Sequence, residues 1–268
     1  MTPLLARRRH PLATAALLLV ALMAVGGLYA AVSGGRAQAA PQSASTTQID
    51  LGRKLYSEGC SSCHGLNAEG GQQPDGTISG PSLIGVGAAA VDFQVGTGRM
   101  PLQANGPQAA PNLPSYTPDE ISALAAYVAS LGPGPSIPDT GTYDPKDADV
   151  VLGGQLFRSN CGACHNFAGS GGALTFGKRA PAIVNTTPRH IYEAMITGPA
   201  NMPIFPDGTL RPADKRAIIA YVETLKNAPN PGGLDLGRVG PVTEGLLFWI
   251  VGIGALVVAA IWIGAKAR

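Results

Sequence analysis

Charge is what this sequence has least of. Asp, Glu, Lys and Arg together make up 13% of its 268 residues, and the formal net charge is +2. That small excess sits at the ends, with Arg7, Arg8, Arg9 and Arg36 at one and Lys266 and Arg268 at the other. Residues 41–243 carry 13 basic and 16 acidic side chains, a formal charge of −3. No basic stripe runs through that stretch, so nothing in it points to nucleic acid. Cysteine is equally scarce. The four cysteines all fall in two short motifs, which leaves none for a disulfide framework. Glycine (36) and proline (23) are abundant instead, and the length suits two small domains.

The two motifs repeat one pattern, Cys60-Ser61-Ser62-Cys63-His64 and Cys161-Gly162-Ala163-Cys164-His165. Cys-x-x-Cys-His is the attachment pattern of a c-type haem. Cysteines three apart lie on one side of a helical turn, so each thiol can form a thioether with one haem vinyl group. The histidine that follows, His64 or His165, is then held under the iron as its proximal ligand. A zinc site and a dithiol redox pair compete with this reading. Structural zinc usually draws two Cys-x-x-Cys copies onto one metal. Here each copy carries its own histidine inside its own similar stretch. The motifs therefore point to two covalently bound haem c groups, one per domain, held through Cys60, Cys63, Cys161 and Cys164. The heavy Gly and Pro content fits, because in a small haem domain irregular backbone wraps a core made largely of porphyrin.

A histidine leaves the sixth iron position open. Met100 lies 36 residues after His64, and Met202 lies 37 after His165. Each is followed by proline, which stiffens an extended loop and can hold the thioether toward the iron. Buried filler is the ordinary fate of a methionine, but the matched spacing favours Met100 and Met202 as distal ligands. Met195 sits in a helical stretch and has no partner in the first half. His190, which would give a bis-histidine haem, has none either. His/Met ligation raises the potential and fills both axial positions, which argues for electron transfer and against an independent active site.

The repeat extends beyond the motifs. Asp50-Leu51-Gly52 through Tyr56 parallels Val151-Leu152-Gly153 through Phe157, and Gly80-Pro81-Ser82-Leu83 parallels Ala180-Pro181-Ala182-Ile183. Arg99-Met100-Pro101 parallels Asn201-Met202-Pro203, and Ala125 to Leu131 parallels Ile219 to Leu225. The halves are a tandem duplication at an offset of about 100 residues, the first with a longer Pro/Ala/Gln loop after its methionine. The expected fold is all-α: two tandem domains that resemble class I cytochrome c domains, over 49–134 and 150–228, joined by a Pro/Gly/Asp-rich linker at 135–149. A short helix over 50–59 delivers Cys60. Thr117, Pro118 and Glu120 form a capping box that opens a helix over 118–131.

Outside the domains come a basic tail at 1–10, an apolar segment at 11–32, a Ser/Gly/Gln-rich tether at 33–48, a linker at 229–243, an apolar run at 244–264 and a tail at 265–268. The C-terminal run has almost no polar face and spanning length, so it reads as a transmembrane helix. The N-terminal segment is either a second anchor or a secretory signal with Ala37-Gln38-Ala39 as its cleavage site. Its apolar length favours the anchor. The basic residues place both tails in the cytoplasm, if the segment is kept, and the haem domains outside. The domains also differ in charge. Residues 45–134 hold three basic and seven acidic side chains, and residues 150–230 hold eight and four. Such a pair can attract one another or steer different redox partners.

The paired domains, the flanking apolar segments and the stretch Gly240-Pro241-Val242-Thr243-Glu244-Gly245-Leu246 leading into Phe248-Trp249-Ile250 resemble the dihaem cytochrome c subunit of the actinobacterial cytochrome bcc complex, a menaquinol–cytochrome c reductase. The resemblance covers essentially the whole chain. It implies axial ligands at His64, Met100, His165 and Met202. It also implies an electron-transfer subunit of an oxidoreductase, partnered by cytochrome b and the Rieske iron–sulfur subunit, and delivering to an aa3-type oxidase in a supercomplex. The alternatives are a dihaem subunit of a cbb3-type oxidase or quinoprotein dehydrogenase, a dihaem peroxidase, and a structural zinc protein. Paired Met-Pro motifs speak against the peroxidase, which needs an open axial position.

Overall fold

A computed structural model describes residues 11–32, 44–72, 76, 78–104, 106–228 and 241–266. The basic tail at 1–10, the tether over 33–43 with Ala37-Gln38-Ala39, the linker over 229–240 and the last two residues lie outside the described residues. Helix α1 (Pro11–Val32) belongs to a unit of its own, and everything from Ser45 onward forms a second unit.

The second unit opens with α2 (Thr46–Gly59), which starts four residues before the expected helix. Ser45 explains the earlier start: its hydroxyl accepts from the Gln48 amide at 3.2 Å, so a capping side chain stands where only a tether was expected. The first Cys-x-x-Cys-His forms the one-turn helix α3 (Ser61–His64). A short antiparallel ladder of β1 (Gly71–Gln72) and β2 (Ile78–Gly80) follows. Next come α4 (Ala88–Gly96), which has no strong sequence signal, and α5 (Pro118–Ser130). The predicted capping box is present on α5: the Glu120 carboxylate accepts from the Thr117 amide at 2.8 Å.

A short turn of helix, α6 (Thr140–Tyr143), lies in the linker, and the plan then repeats. Helix α7 (Val150–Asn160) is capped by Asp149, and α8 (Gly162–His165) carries the second motif. The ladder of β3 (Gly172–Ala173) and β4 (Arg179–Ala180), α9 (Pro188–Thr197) and α10 (Pro212–Asn227) complete the domain.

Each domain is built on one helix crossing, and the two crossings match. A Cβ on Gly52 of α2 would overlap the carbonyl oxygen of Ala123 on α5, and one on Gly153 of α7 would overlap that of Ala217 on α10. Glycine is what lets these backbones touch. An aromatic pair closes each crossing: Tyr56 and Tyr127 with ring centroids 5.2 Å apart, Phe157 and Tyr221 with centroids 5.3 Å apart. Around these pairs lie the two cores, one with Val91, Ile121, Leu124 and Val128, the other with Ile191, Met195, Ile218 and Val222.

The chain ends in α11 (Pro241–Lys266), whose described apolar side chains, from Leu246 to Ile263, are exposed. Its segment Gly245–Lys266 is 22 residues long with a mean hydropathy of 2.6, which is long and apolar enough to cross a membrane. Lys266 Nζ lies 4.9 Å above the Trp262 ring, an aromatic and a cation placed together at the end of the span.

Candidate functional site: two haem-binding frameworks

The backbone of each motif is held by the same set of hydrogen bonds. The His64 amide donates to Cys60 O at 3.0 Å and the His165 amide to Cys161 O at 2.9 Å. The loop after each histidine is tied back to it, Gly70 N to His64 O at 2.8 Å and Gly171 N to His165 O at 2.9 Å. Leu83 N to Ala68 O and Ile183 N to Gly169 O, at 2.8 and 2.9 Å, then bring the following Pro segment alongside.

That segment orients the histidines. His64 Nδ1 lies 2.7 Å from Pro81 O, and His165 Nδ1 lies 2.9 Å from Pro181 O. A carbonyl only accepts, so Nδ1 carries the proton in both rings and Nε2 keeps its lone pair for a metal. Burial holds His165 below the ordinary histidine range, against the pull of its hydrogen bond to Pro181, so the ring stays neutral as a ligand must. Gly80 permits the approach in domain one: a Cβ there would stand 2.7 Å from Cys63 O and 3.0 Å from His64 Nδ1.

The first cysteine of each motif lacks the shift of a reactive dithiol. Burial, then the neighbouring Cys164, pushes the Cys161 thiol up to about 11, and burial followed by Cys63 also raises Cys60. A reactive redox thiol is shifted the other way. A shared zinc site is not assembled either. Among the described residues, the one cluster of three or more His, Cys, Asp and Glu groups is Asp92, His190 and Glu193, and it contains no cysteine. Cys63 and Cys164 are exposed and open to thioether formation.

Met100 and Met202 are half-buried, packed against the domain-one and domain-two cores respectively. Large apolar side chains stand exposed at matched positions beside the candidate ligands: Leu66 and Phe167 two residues after each histidine, Leu102 and Ile204 two residues after each methionine. Exposed apolar side chains at such matched positions are what a bound porphyrin would need around it. The rivals are placed elsewhere. Met195 is enclosed in the domain-two core at 1% exposure. His190 Nε2 faces Asp92 of domain one, 3.7 Å from its Oδ2.

The orienting carbonyls of Pro81 and Pro181 escape a reading for ligand side chains, because they are backbone groups. Their trace in the sequence is the repeated Gly-Pro or Ala-Pro step at a matched distance after each histidine. Asp92, Arg189 and Glu193 leave no such trace, having no counterpart in the other half.

Residues 49–132 match the family described as Cytochrome c, and residues 148–222 match the family described as cytochrome c oxidase, cbb3-type, subunit III. The two cytochrome c domains imply two covalent haem c groups. The cytochrome bc1 complex cytochrome c subunit of Corynebacterium efficiens is 43% identical over 96% of this chain and 90% of its own length. That of Corynebacterium diphtheriae is 44% identical over 96% and 95%, and that of Mycobacterium bovis 43% over 97% and 93%. The cytochrome c subunit of a quinone alcohol dehydrogenase from Gluconacetobacter polyoxogenes shares 30% identity over only 31% of the chain and 20% of its own length, so that likeness covers less than a third of the chain. The relatives that match from end to end settle the question: the chain belongs to the family of cytochrome bc1 complex cytochrome c subunits.

Proposed function

We propose that this chain is the membrane-anchored dihaem electron-transfer subunit of a quinol–cytochrome c reductase. It would accept electrons from the Rieske iron–sulfur protein, sit beside cytochrome b, and deliver toward an aa3-type terminal oxidase. The observation that carries this reading is the duplicated His–Pro carbonyl clamp in a chain whose full-length relatives are named as subunits of the bc1 complex. When bound, each haem supplies a one-electron ferric–ferrous couple. The chain's own residues do the rest. Cys60, Cys63, Cys161 and Cys164 offer thiols for covalent attachment. His64 and His165 offer Nε2 lone pairs in rings whose tautomer the Pro carbonyls fix. Met100 and Met202 offer thioethers, which favour the reduced state and raise the potential. With His64 and Met100 holding one iron and His165 and Met202 the other, the site would pass electrons and bind no substrate.

Helix α11 anchors the chain, with the N-terminal segment as a second anchor if it is kept, the haem domains on the extracytoplasmic side and Lys266 toward the cytoplasm. The test is purification from native membranes in mild detergent through a C-terminal tag. Cytochrome b and a Rieske protein should accompany a c-type spectrum, and a-type haem should appear if the oxidase is attached. Purification with dehydrogenase or cbb3-type subunits alone would overturn the assignment.

A further inference from the structure

The two domains meet through α4 of the first and α9 of the second, and the contact is ionic. Arg189 Nε donates to Asp92 Oδ2 at 2.8 Å while a second guanidinium nitrogen pairs with Oδ1. The same Nε lies 3.3 Å from Glu193 Oε1, one turn further along α9. His190 stands edge-on to Phe93, ring centroids 6.1 Å apart, with Nε2 4.0 Å from Glu193 Oε2. Arg99 of domain one lies over the same Phe93 ring at 4.7 Å and also acts electrostatically on His190. Asp92 and Glu193 are both buried.

Two further links join the domains. The Gln108 side chain, on the long loop peculiar to domain one, accepts from the Arg179 amide at 2.9 Å. The linker is docked at both ends. Pro135 O accepts from the Ala89 amide at 3.1 Å and Ile137 packs on the first core, while Tyr143 packs on the second.

We infer that Asp92 and Arg189 are positioning residues whose bidentate pairing, between a buried carboxylate and a partly exposed guanidinium, holds the two haem domains at one separation and orientation, and so sets the passage of electrons from one to the other. The inference rests on the dihaem reading above. A small polar contact between domains leaves them free to move by default, so what fixes them must be specific. A bidentate Arg–carboxylate pair is specific in distance and angle. Removing Arg189 strands Asp92 in a buried place, which opposes docking rather than merely weakening it. Asp92, His190 and Glu193 bring ligand atoms within 4.8 Å of one another, a spacing that suits a divalent cation. Arg189, however, already pairs with Asp92 and lies beside Glu193, so little negative charge is left to attract one.

The test uses the full chain in its detergent-solubilised membrane complex, as R189Q, D92N and the charge-swapped D92R/R189D. Absorption spectra report whether both haems are attached and low-spin. Dipolar electron paramagnetic resonance between the two ferric irons gives the distance distribution. Hydrogen exchange over 88–96 and 188–197 gives protection at the contact. Each single variant should keep the wild-type spectrum, broaden the distance distribution and lose roughly tenfold or more of that protection, a shift of about 1.4 kcal/mol. The swapped pair should recover both. Unchanged distances and exchange in R189Q and D92N would overturn the inference. So would stoichiometric Zn2+ binding by the wild type that is lost in H190A, which would make a cation the fastener. A wild-type chain without a c-type spectrum would sink the dihaem reading instead.

Discussion

His165 Nδ1 lies 2.9 Å from the carbonyl oxygen of Pro181, as His64 Nδ1 lies 2.7 Å from that of Pro81. The same backbone acceptor in both halves leaves each ring one tautomer and one free nitrogen. It follows that the histidine and the cysteines do separable jobs. In H165A the haem of domain two should remain attached through Cys161 and Cys164, while its iron loses low-spin character. Mass spectrometry should then show two haems per chain, and the low-spin signal should fall by about half. Loss of the haem itself would show that attachment depends on the ring.

The three methionines of the domains should respond differently. In M202H one haem should keep its low-spin spectrum but titrate at a lower potential, within the ~0.8 V range that axial ligands span. M100H should do the same to the other haem. M195L, a volume-conserving change in a closed core, should cost less than about 1.5 kcal/mol and leave both potentials in place. Spectroelectrochemical titration separates these outcomes. A shift in M195L equal to that in M202H would contradict the ligand assignment.

The helix crossings make a prediction whose sign is opposite to helix propensity. Alanine is better than glycine in a helix interior by about 1 kcal/mol. Yet a Cβ at Gly52 or Gly153 would overlap a carbonyl of the crossing helix, so G52A and G153A should each destabilise the chain by about 1–3 kcal/mol. Gly141 has nothing within 4 Å of its would-be Cβ, and G141A should fall within about 0.5 kcal/mol of wild type. Thermal unfolding of the three variants distinguishes the sites.

Glu193 makes stability depend on pH. Burial, then hydrogen bonding and repulsion from Asp92, raises its carboxyl from 4.5 to about 9, with Arg189 opposing. Between those values the native state keeps a proton that the unfolded chain releases, so stability falls as pH rises through this window. His190 works in the other direction: burial first, and the Arg189 and Arg99 charges, hold it below its usual 6.5, while Asp92 pulls it up. Its contribution is confined to lower pH, so the clean range is pH 7 to 9. There the midpoint temperature of the wild type should decline more steeply than that of E193Q, which cannot ionise. Parallel declines would show that Glu193 is ionised throughout.

Much of this was legible from the residues, for a physical reason. Covalent haem attachment needs two thiols and a histidine at fixed local spacing, so Cys60 to His64 and Cys161 to His165 announce themselves within five positions. The duplication then singles out Met100 and Met202 as candidate ligands, because a repeated long-range spacing is improbable by accident. The α2–α5 and α7–α10 crossings showed only as repeated Leu-Gly pairs, since what matters at Gly52 and Gly153 is the absence of a side chain. Helix α4, mostly small and apolar, has no periodic polar face to reveal it. The Asp92–Arg189 pair joins residues 97 apart that occur once each, and in the sequence His190 stands out only as a possible iron ligand. Contacts between domains are set by tertiary placement, which local spacing does not encode.

The most direct test of the central claim is reduction by quinol. A menaquinol or ubiquinol analogue is added to the purified oxidised complex, and the c-type and b-type absorption bands are followed separately. The account predicts that the c-type absorbance of this chain rises to full reduction of two haems per chain, and that an inhibitor of quinol oxidation prevents it. Reduction of the b-type haem while the c-type bands stay oxidised, or the absence of covalent haem from the chain, would contradict it.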